Sequence, residues 1–366
     1  MTRSVRILCR VVDNLGDAGV CWRLARQLAG DFGWQVTLTI DRPELLARFG
    51  ADPRMAVRVE TWPAVDAAPG TGAQDDVLVS AFGCEPPPTL RAALAGGPAR
   101  PLWVHLEYLS AEAWIDGCHG LRSTRPGDGA LEHFFYPGFT GRSGGLLRER
   151  SLLERRDAFV GSSGQREWFA RLGIDRVPGE WLVTMFCYRD APIAEWLAAV
   201  AGGERRWRVL VPEASADDAL AAFLGRSLAP GQALGQGRVL VQRLPFLSHD
   251  DYDRLLWSAD LNFVRGEDSW IRAHWAARPF VWQPYVQAGG THHVKLQAFL
   301  DRLGAGATAD AMMQAWSGAG ALAPAWRAFD AGLAGLAPRY RDWSAQLCRQ
   351  TDLATRLVEF CADRLQ

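Results

Sequence analysis

With 366 residues, 48% of them hydrophobic and 22% charged, the chain has apolar material for more than one core and lacks the bias of a disordered one. A net charge of -1 gives no overall pull toward nucleic acid or an anionic membrane, and no run approaches the ~20 apolar residues of a membrane span, so the chain reads as soluble and cytoplasmic. Seven scattered cysteines without a CxxC pair argue against a zinc knuckle or redox dithiol and read as reduced, mostly buried thiols.

From the N-terminus, residues 5–12 (VRILCRVV) are a β-type run, DNLGDAG supplies turn chemistry, and VCWRLARQLAGDFG sets Val20, Leu24 and Leu28 on one helical face. The alternation continues. WQVTLTID reads as a strand, PELLARF as a helix, AVRVETW, DVLVSAF and PLWVHLEYL as strands, and SAEAWIDG as a helix. After the turn-rich DRVPGEW near residue 178 a second series begins with the strand RRWRVLVPE, the helix DDALAAFLGRSL and the strand RVLVQRLPF. It goes on through helical DDYDRLLWSAD, strand LNFVRG, helical DSWIRAHWAA and strand PFVWQPY. Pro- and Gly-rich stretches at 63–74 and 227–237 read as surface loops, and the segment from about 339 is helical and could pack back on the first domain. Such alternation predicts two α/β domains with parallel sheets, at 1–178 and 179–339. Ligands then bind at the carboxyl ends of the strands, in a cleft between the domains.

Asp13 and Asp17 stand at the end of the first strand, in a turn with Gly16 and Gly19. Two carboxylates there suit a cation, while a helix cap or a pinned turn would also use an Asp. In the second domain Arg265, Gly266, Glu267, Asp268 and Ser269 again join a strand end to a helix start. Asp268 or Ser269 could cap that helix, and its N–H groups could hold a diphosphate, with Ser269 adding a donor. Phe186, Tyr188, Phe246 and Tyr252 could stack a base or bond a phosphate, although core packing also uses such residues. His249 stands in a loop beside Phe246, where it could touch a base edge or simply be a surface histidine. GxGxxG, P-loop, HExxH and EF-hand patterns are all missing, and adjacent His292 and His293 lack a ligand spacing, so neither metal nor cofactor is expected.

RVVDNLGDAGVCWRLARQL, HLEYLSAEAWIDGCHGL, FFYPGF, GGLLRE, PFLSHDDYDRLLWSADLNFVRGEDS and RPFVWQ together make the chain resemble the elongation factor P arginine rhamnosyltransferases, the EarP family. The resemblance implies a GT-B fold of two Rossmann-like domains facing a central cleft, with dTDP-β-L-rhamnose as donor and inversion at the anomeric carbon. It implies an acceptor arginine on elongation factor P, gripped through that factor's N-terminal domain. By motif, Asp13, Asp17 and Glu267 would be catalytic, and Asn14, Gly16, Phe186, Tyr188, Phe246, His249, Tyr252, Asp268 and Ser269 would bind the donor. The family commonly has glutamine at the place of His249, phenylalanine at that of Tyr252, and an acidic stretch in place of QAGGTHHVK. A guanidinium is a poor nucleophile until a carboxylate orients it and accepts its proton, and Asp17 is the expected base. Two other readings predict different outcomes. A transferase acting on a glycan or small molecule would not need the acidic cluster, and a non-catalytic module binding a translation factor would not turn over the donor.

Overall fold

The computed structural model describes residues 3–13, 15–50, 56–62, 75–88, 90–92, 100–127, 129–213 and 215–365. The chain divides into two compact units, Met1–Arg150 with Cys348–Gln366, and Ser151–Leu347. These limits differ from a division at 178 and 339. Residues 151–178 carry the helices Leu152–Phe159 and Ser163–Arg171, which pack inside the second unit. Trp168 Nε1 donates to Asp251 at 2.8 Å, Gln165 to Ser258 at 2.9 Å, and Arg156 to the Trp275 carbonyl at 2.7 Å.

The first unit is built on β1 (Ser4–Cys9), β2 (Gln35–Ile40), β3 (Val57–Thr61), β4 (Val77–Ala81), β5 (Leu102–Leu106), β6 (Arg122–Thr124) and β7 (Leu131–Phe135). Their order is β3-β2-β1-β4-β5-β7-β6, parallel except for β6 against β7. The central strands are nearly all apolar because helices cover both faces of a parallel sheet, and every residue of β4 is buried. The order reverses between β1 and β4, the point at which such sheets bind ligands beyond the strand ends.

Strand β1 stops at Cys9, short of residue 12, because the Val11 N–H is taken by the Asp41 carboxylate at 3.0 Å instead of a strand neighbour. The helix Gly16–Phe32 begins inside the expected turn, so Asp17 lies in its first turn. It ends at Gly33 (φ 67°), whose N–H closes on Ala29 O, a glycine C-cap. SAEAWIDG is helical only over Ile115–Cys118, since Ser110 Oγ bonds both the Glu112 carboxylate and the Glu112 N–H at 3.0 Å and holds the segment in a turn. The loop expected at 63–74 lies outside the described residues. The C-terminal helix Leu353–Ala362 belongs to this unit: Leu353 N–H donates to Leu146 O, Gln27 to Asp352, and Phe360 meets Phe135 edge-on at 5.6 Å.

The second unit holds β8 (Glu180–Met185), β9 (Arg206–Val211), β10 (Ala233–Gln236), β11 (Val239–Arg243), β12 (Leu261–Arg265) and β13 (Phe280–Gln283), ordered β10-β11-β9-β8-β12-β13. All neighbours are parallel except β10 with β11. Of the eleven residues expected as a loop at 227–237, the four of Ala233–Gln236 are therefore strand. Gly237 (φ 63°) turns that hairpin, and a Cβ there would stand 2.8 Å from Ala201 O. The order again reverses beside the unit's first strand, here between β8 and β12. Indole and phenyl rings fill the core: Trp196 meets Phe263 at 4.9 Å and Trp326 at 5.1 Å, and Trp270 stacks on Trp282 at 3.7 Å.

Candidate active site

In the first unit the loop beyond β1 is organised by Asp17, which is 2% exposed. Its Oδ2 accepts the N–H groups of Val12 and Asp13, each at 2.8 Å, so the side chain pins the incoming loop instead of capping the helix; Leu15 holds the cap position, without a side-chain bond. Burial pushes the Asp17 carboxyl above its usual value. The two N–H donors and the Tyr108 hydroxyl pull it down, and the charge of Asp13 pushes it up. Asp13 is half-buried, and its carbonyl accepts from Gly16 N–H at 2.7 Å. A Cβ on Gly16 would lie 2.8 Å from Asp13 Oδ2, so the glycine is explained by close approach of that carboxylate. Asn14 lies outside the described residues.

Two residues absent from the expected set stand at the end of β5. Tyr108 is among the groups that lower the Asp17 carboxyl, and half-buried Glu107 has its carboxyl pushed up by burial. The only hint in the sequence is that EY follows an apolar strand in HLEYL.

In the second unit the loop after β8 brings Phe186 and Tyr188, the helix His249–Ser258 brings Tyr252, and the first turn of the helix Asp268–Ala276 brings Ser269 around Arg265. Its guanidinium lies 4.2 Å from the ring centre of Phe186 and 4.8 Å from that of Tyr188, and Nη1 donates to Cys187 O at 2.8 Å. Phe186 meets Tyr252 edge-on at 5.6 Å. The Tyr188 N–H donates to Gln283 Oε1 at 2.9 Å, and Gln283 donates in turn to Asp190 at 3.1 Å. Arg265 is thus a cation fixed at the switch point of this sheet, and its place at a strand end before a glycine was the available signal.

The helix Asp268–Ala276 departs from expectation at its start. Neither Asp268 nor Ser269 caps it; Glu267 occupies the cap position, and its side chain makes no cap hydrogen bond. The Ser269 hydroxyl is committed locally: it donates to Arg265 O at 2.5 Å and accepts Arg265 N–H at 2.9 Å, so it is not poised as an additional donor. Burial pushes the Tyr252 phenol up. Gly266 (φ 57°) makes the turn, with its carbonyl held by Trp282 Nε1 at 2.8 Å. First-turn N–H groups without a side-chain cap, beside a fixed guanidinium, form an arrangement suited to an anion.

Phe246 is half-buried, its N–H on Glu213 at 3.2 Å. His249 is not a surface loop residue: it opens the helix His249–Ser258 and is 5% exposed, because the apolar face of that helix carries it into the core. Ser248 caps this helix by accepting from Asp251 N–H. Among the described residues no three His, Cys, Asp or Glu side chains gather as a metal site, and no helix is long and apolar enough to cross a membrane.

Residues 5–362 match the family model of the elongation factor P (EF-P) rhamnosyltransferase EarP. A protein-arginine rhamnosyltransferase of Pseudomonas putida is 43% identical over 377 residues, which cover 98% of each chain. A solved chain from work on the structural basis for EarP-mediated arginine glycosylation of translation elongation factor EF-P is 35% identical. It covers 98% of this chain and 99% of its own length, with a TM-score of 0.69. The spinosyn rhamnosyltransferase SpnG complexed with thymidine diphosphate shares the fold, with a TM-score of 0.53 at 13% identity over 98% of this chain and 99% of its own. The fold is of the GT-B type, with two Rossmann-like units, and the chain belongs to the EarP family of protein-arginine rhamnosyltransferases.

Proposed function

We propose that this member of the EarP family moves rhamnose from dTDP-β-L-rhamnose to one arginine of elongation factor P, in the cytoplasm, with inversion at the anomeric carbon. The observation that carries this reading is the match of both units, over residues 5–362, to that one family. The second unit takes the donor: an aromatic face from Phe246, Phe186 or Tyr188 holds the base, while Arg265 and the first N–H groups of the helix Asp268–Ala276 hold the diphosphate. The first unit takes the acceptor through its N-terminal domain.

Inversion by direct displacement needs a base on the face opposite the leaving group, by analogy with inverting glycosidases. Asp17 accepts a proton from the guanidinium as its nitrogen bonds to the anomeric carbon and the bond to the dTDP oxygen breaks. Its buried, N–H-pinned carboxylate has a raised proton affinity and a fixed direction, both of which favour that role. Asp13 and Glu267 orient and neutralise the guanidinium, and Asn14 and Gly16 bind the donor. Charge gained by departing dTDP is met by Arg265 and the helix start, so no metal ion is required.

Incubation with elongation factor P and dTDP-rhamnose, followed by intact mass analysis, tests the reading. It predicts one deoxyhexose increment, lost when the acceptor arginine is changed to lysine. An unmodified factor alongside a modified glycan or small molecule would replace it with the other transferase reading.

A further inference from the structure

RPFVWQ closes on Gln283, the last residue of β13, which is 2% exposed. In the parallel ladder Gln283 stands beside Arg265, the cation at the end of β12. Its carbonyl accepts the Gly266 N–H at 3.1 Å and so fixes the turn that leads into the helix Asp268–Ala276. Its side chain serves the other loop. Strand β13 is not a neighbour of β8, yet the Gln283 amide reaches past β12 to the loop after β8 and accepts the Tyr188 N–H on Oε1 at 2.9 Å. One residue thus grips both strand-end loops that flank Arg265.

This place calls for an acceptor and a donor at the tip of one side chain. The Tyr188 N–H can only donate and the Asp190 carboxylate accepts, so Nε2 donates to Asp190 Oδ1 at 3.1 Å and Oε1 is left to face Tyr188. Asp190 therefore sets which end of the amide meets the backbone. The two preceding N–H groups are also held, Phe186 on Phe263 O at 3.0 Å and Cys187 on Ser215 Oγ at 3.1 Å. Beyond Tyr188 the chain turns outward, and Arg189 and Asp190 are exposed. The Gln283 bond is the last anchor of a stretch whose Cys187 carbonyl accepts from the Arg265 guanidinium at 2.8 Å and whose Tyr188 ring lies 4.8 Å from it.

We propose that Gln283 is a positioning residue of the donor site: by holding Tyr188 it keeps that ring and the Cys187 carbonyl on Arg265, and so keeps the guanidinium aimed at the donor's diphosphate. This rests on Arg265 as the group that meets the diphosphate. The role needs no contact between Gln283 and the donor, and it makes Asp190 the partner that orients the amide.

Gln283→Met keeps length and net charge and removes both side-chain hydrogen bonds. By calorimetry dTDP affinity should fall about tenfold and thymidine affinity by no more than about threefold. The exchanged pair, Gln283→Glu with Asp190→Asn, carries the parent's net charge and rebuilds both bonds, since the new carboxylate accepts from the Tyr188 N–H and from the new amide. It should bind dTDP within about threefold of the parent. Gln283→Asn, one methylene shorter and still polar, should show the same split between the two ligands and takes the place of the Met variant if that one does not fold. Unchanged dTDP affinity in Gln283→Met, with dTDP binding weakened in Arg265→Met, would overturn the positioning role and leave the cation at the diphosphate. Equal losses for dTDP and thymidine, or a loss that the exchanged pair does not restore, would mark Gln283 as merely structural and also end the proposal. Unchanged dTDP affinity in Arg265→Met would overturn both.

Discussion

The Asp17 carboxylate accepts the backbone N–H of Asp13 at 2.8 Å, so one acidic residue of the loop holds the other in place. Asp17→Asn keeps an acceptor oxygen for that bond and for Val12 N–H but removes the base. Transfer should fall about 10²- to 10⁴-fold with dTDP affinity intact, read by single-turnover assay and calorimetry. Asp13→Asn and Glu267→Gln should also slow transfer, chiefly by weakening saturation with the acceptor. Near-normal turnover by the Asp17 variant would strip it of the role.

The same substitution makes a prediction about stability. A carboxyl whose proton affinity is raised in the fold destabilises the folded state once ionised; stability from this group falls as pH rises from the unfolded value through the folded one. Asp17→Asn should therefore melt above the parent at pH 7, with the gap closing toward pH 4. His119, pushed down to about 4 by burial and by Arg356 and Arg364, runs in the opposite sense. It is neutral in the fold, so both proteins should lose stability together as pH drops from about 6.5 toward 4. Parallel melting curves for parent and variant across that range would contradict the first claim.

The donor half of the site predicts that Phe246→Ala weakens dTDP binding by roughly 1 to 3 kcal/mol, the loss typical of one stacked base. Arg265→Met should weaken dTDP more than thymidine, because it removes the cation without touching a base contact. Calorimetry giving equal losses for both ligands would place the guanidinium elsewhere than at the phosphates.

If Arg265 and the helix start supply all the positive charge that the leaving group needs, transfer should continue in excess EDTA. Loss of activity on chelation, restored by magnesium or manganese, would refute that.

Arg272 and Asp253 pair at two points, 2.9 and 2.6 Å, both about 1% exposed, and tie the helix His249–Ser258 to the helix Asp268–Ala276. Removing one partner of a buried pair typically costs about 3 to 5 kcal/mol. Asp253→Ala should lower the denaturant midpoint of the second unit accordingly and disturb Tyr252 against Phe186. Unchanged unfolding would mean the pair is dispensable.

The sheet strands and the two strand-end clusters could be read from apolar runs ending in Gly and Asp, because local period and turn chemistry encode them. Strands β6, β7, β8 and β10 are not legible in this way: all are short, WLVTM lies hard against a turn cluster, and β10 lies in a stretch rich in glycine. Arg265 was seen but its role was not: its partners Phe186 and Tyr188 come from a different strand end, and only the sheet order unites them. Tyr108 is invisible for the same reason, since Asp17, whose carboxyl it lowers, lies in the first turn of the helix Gly16–Phe32. His249 looked exposed because a polar residue beside acidic ones does so until the helix face is known.

The first unit is closed by the last segment of the chain, with Gln350 Nε2 on Phe139 O, Asp352 on Gln27 and Phe360 on Phe135. On the ribosome its first 150 residues emerge while about 200 residues of the second unit are still to be made, which at ~5–20 residues per second is a delay of roughly 10 to 40 s. During that interval the surface awaiting Phe360 stays uncovered, so the nascent chain is a natural client for a holding chaperone. A stop codon placed before Leu353 should leave the second unit folded and the first one prone to aggregate.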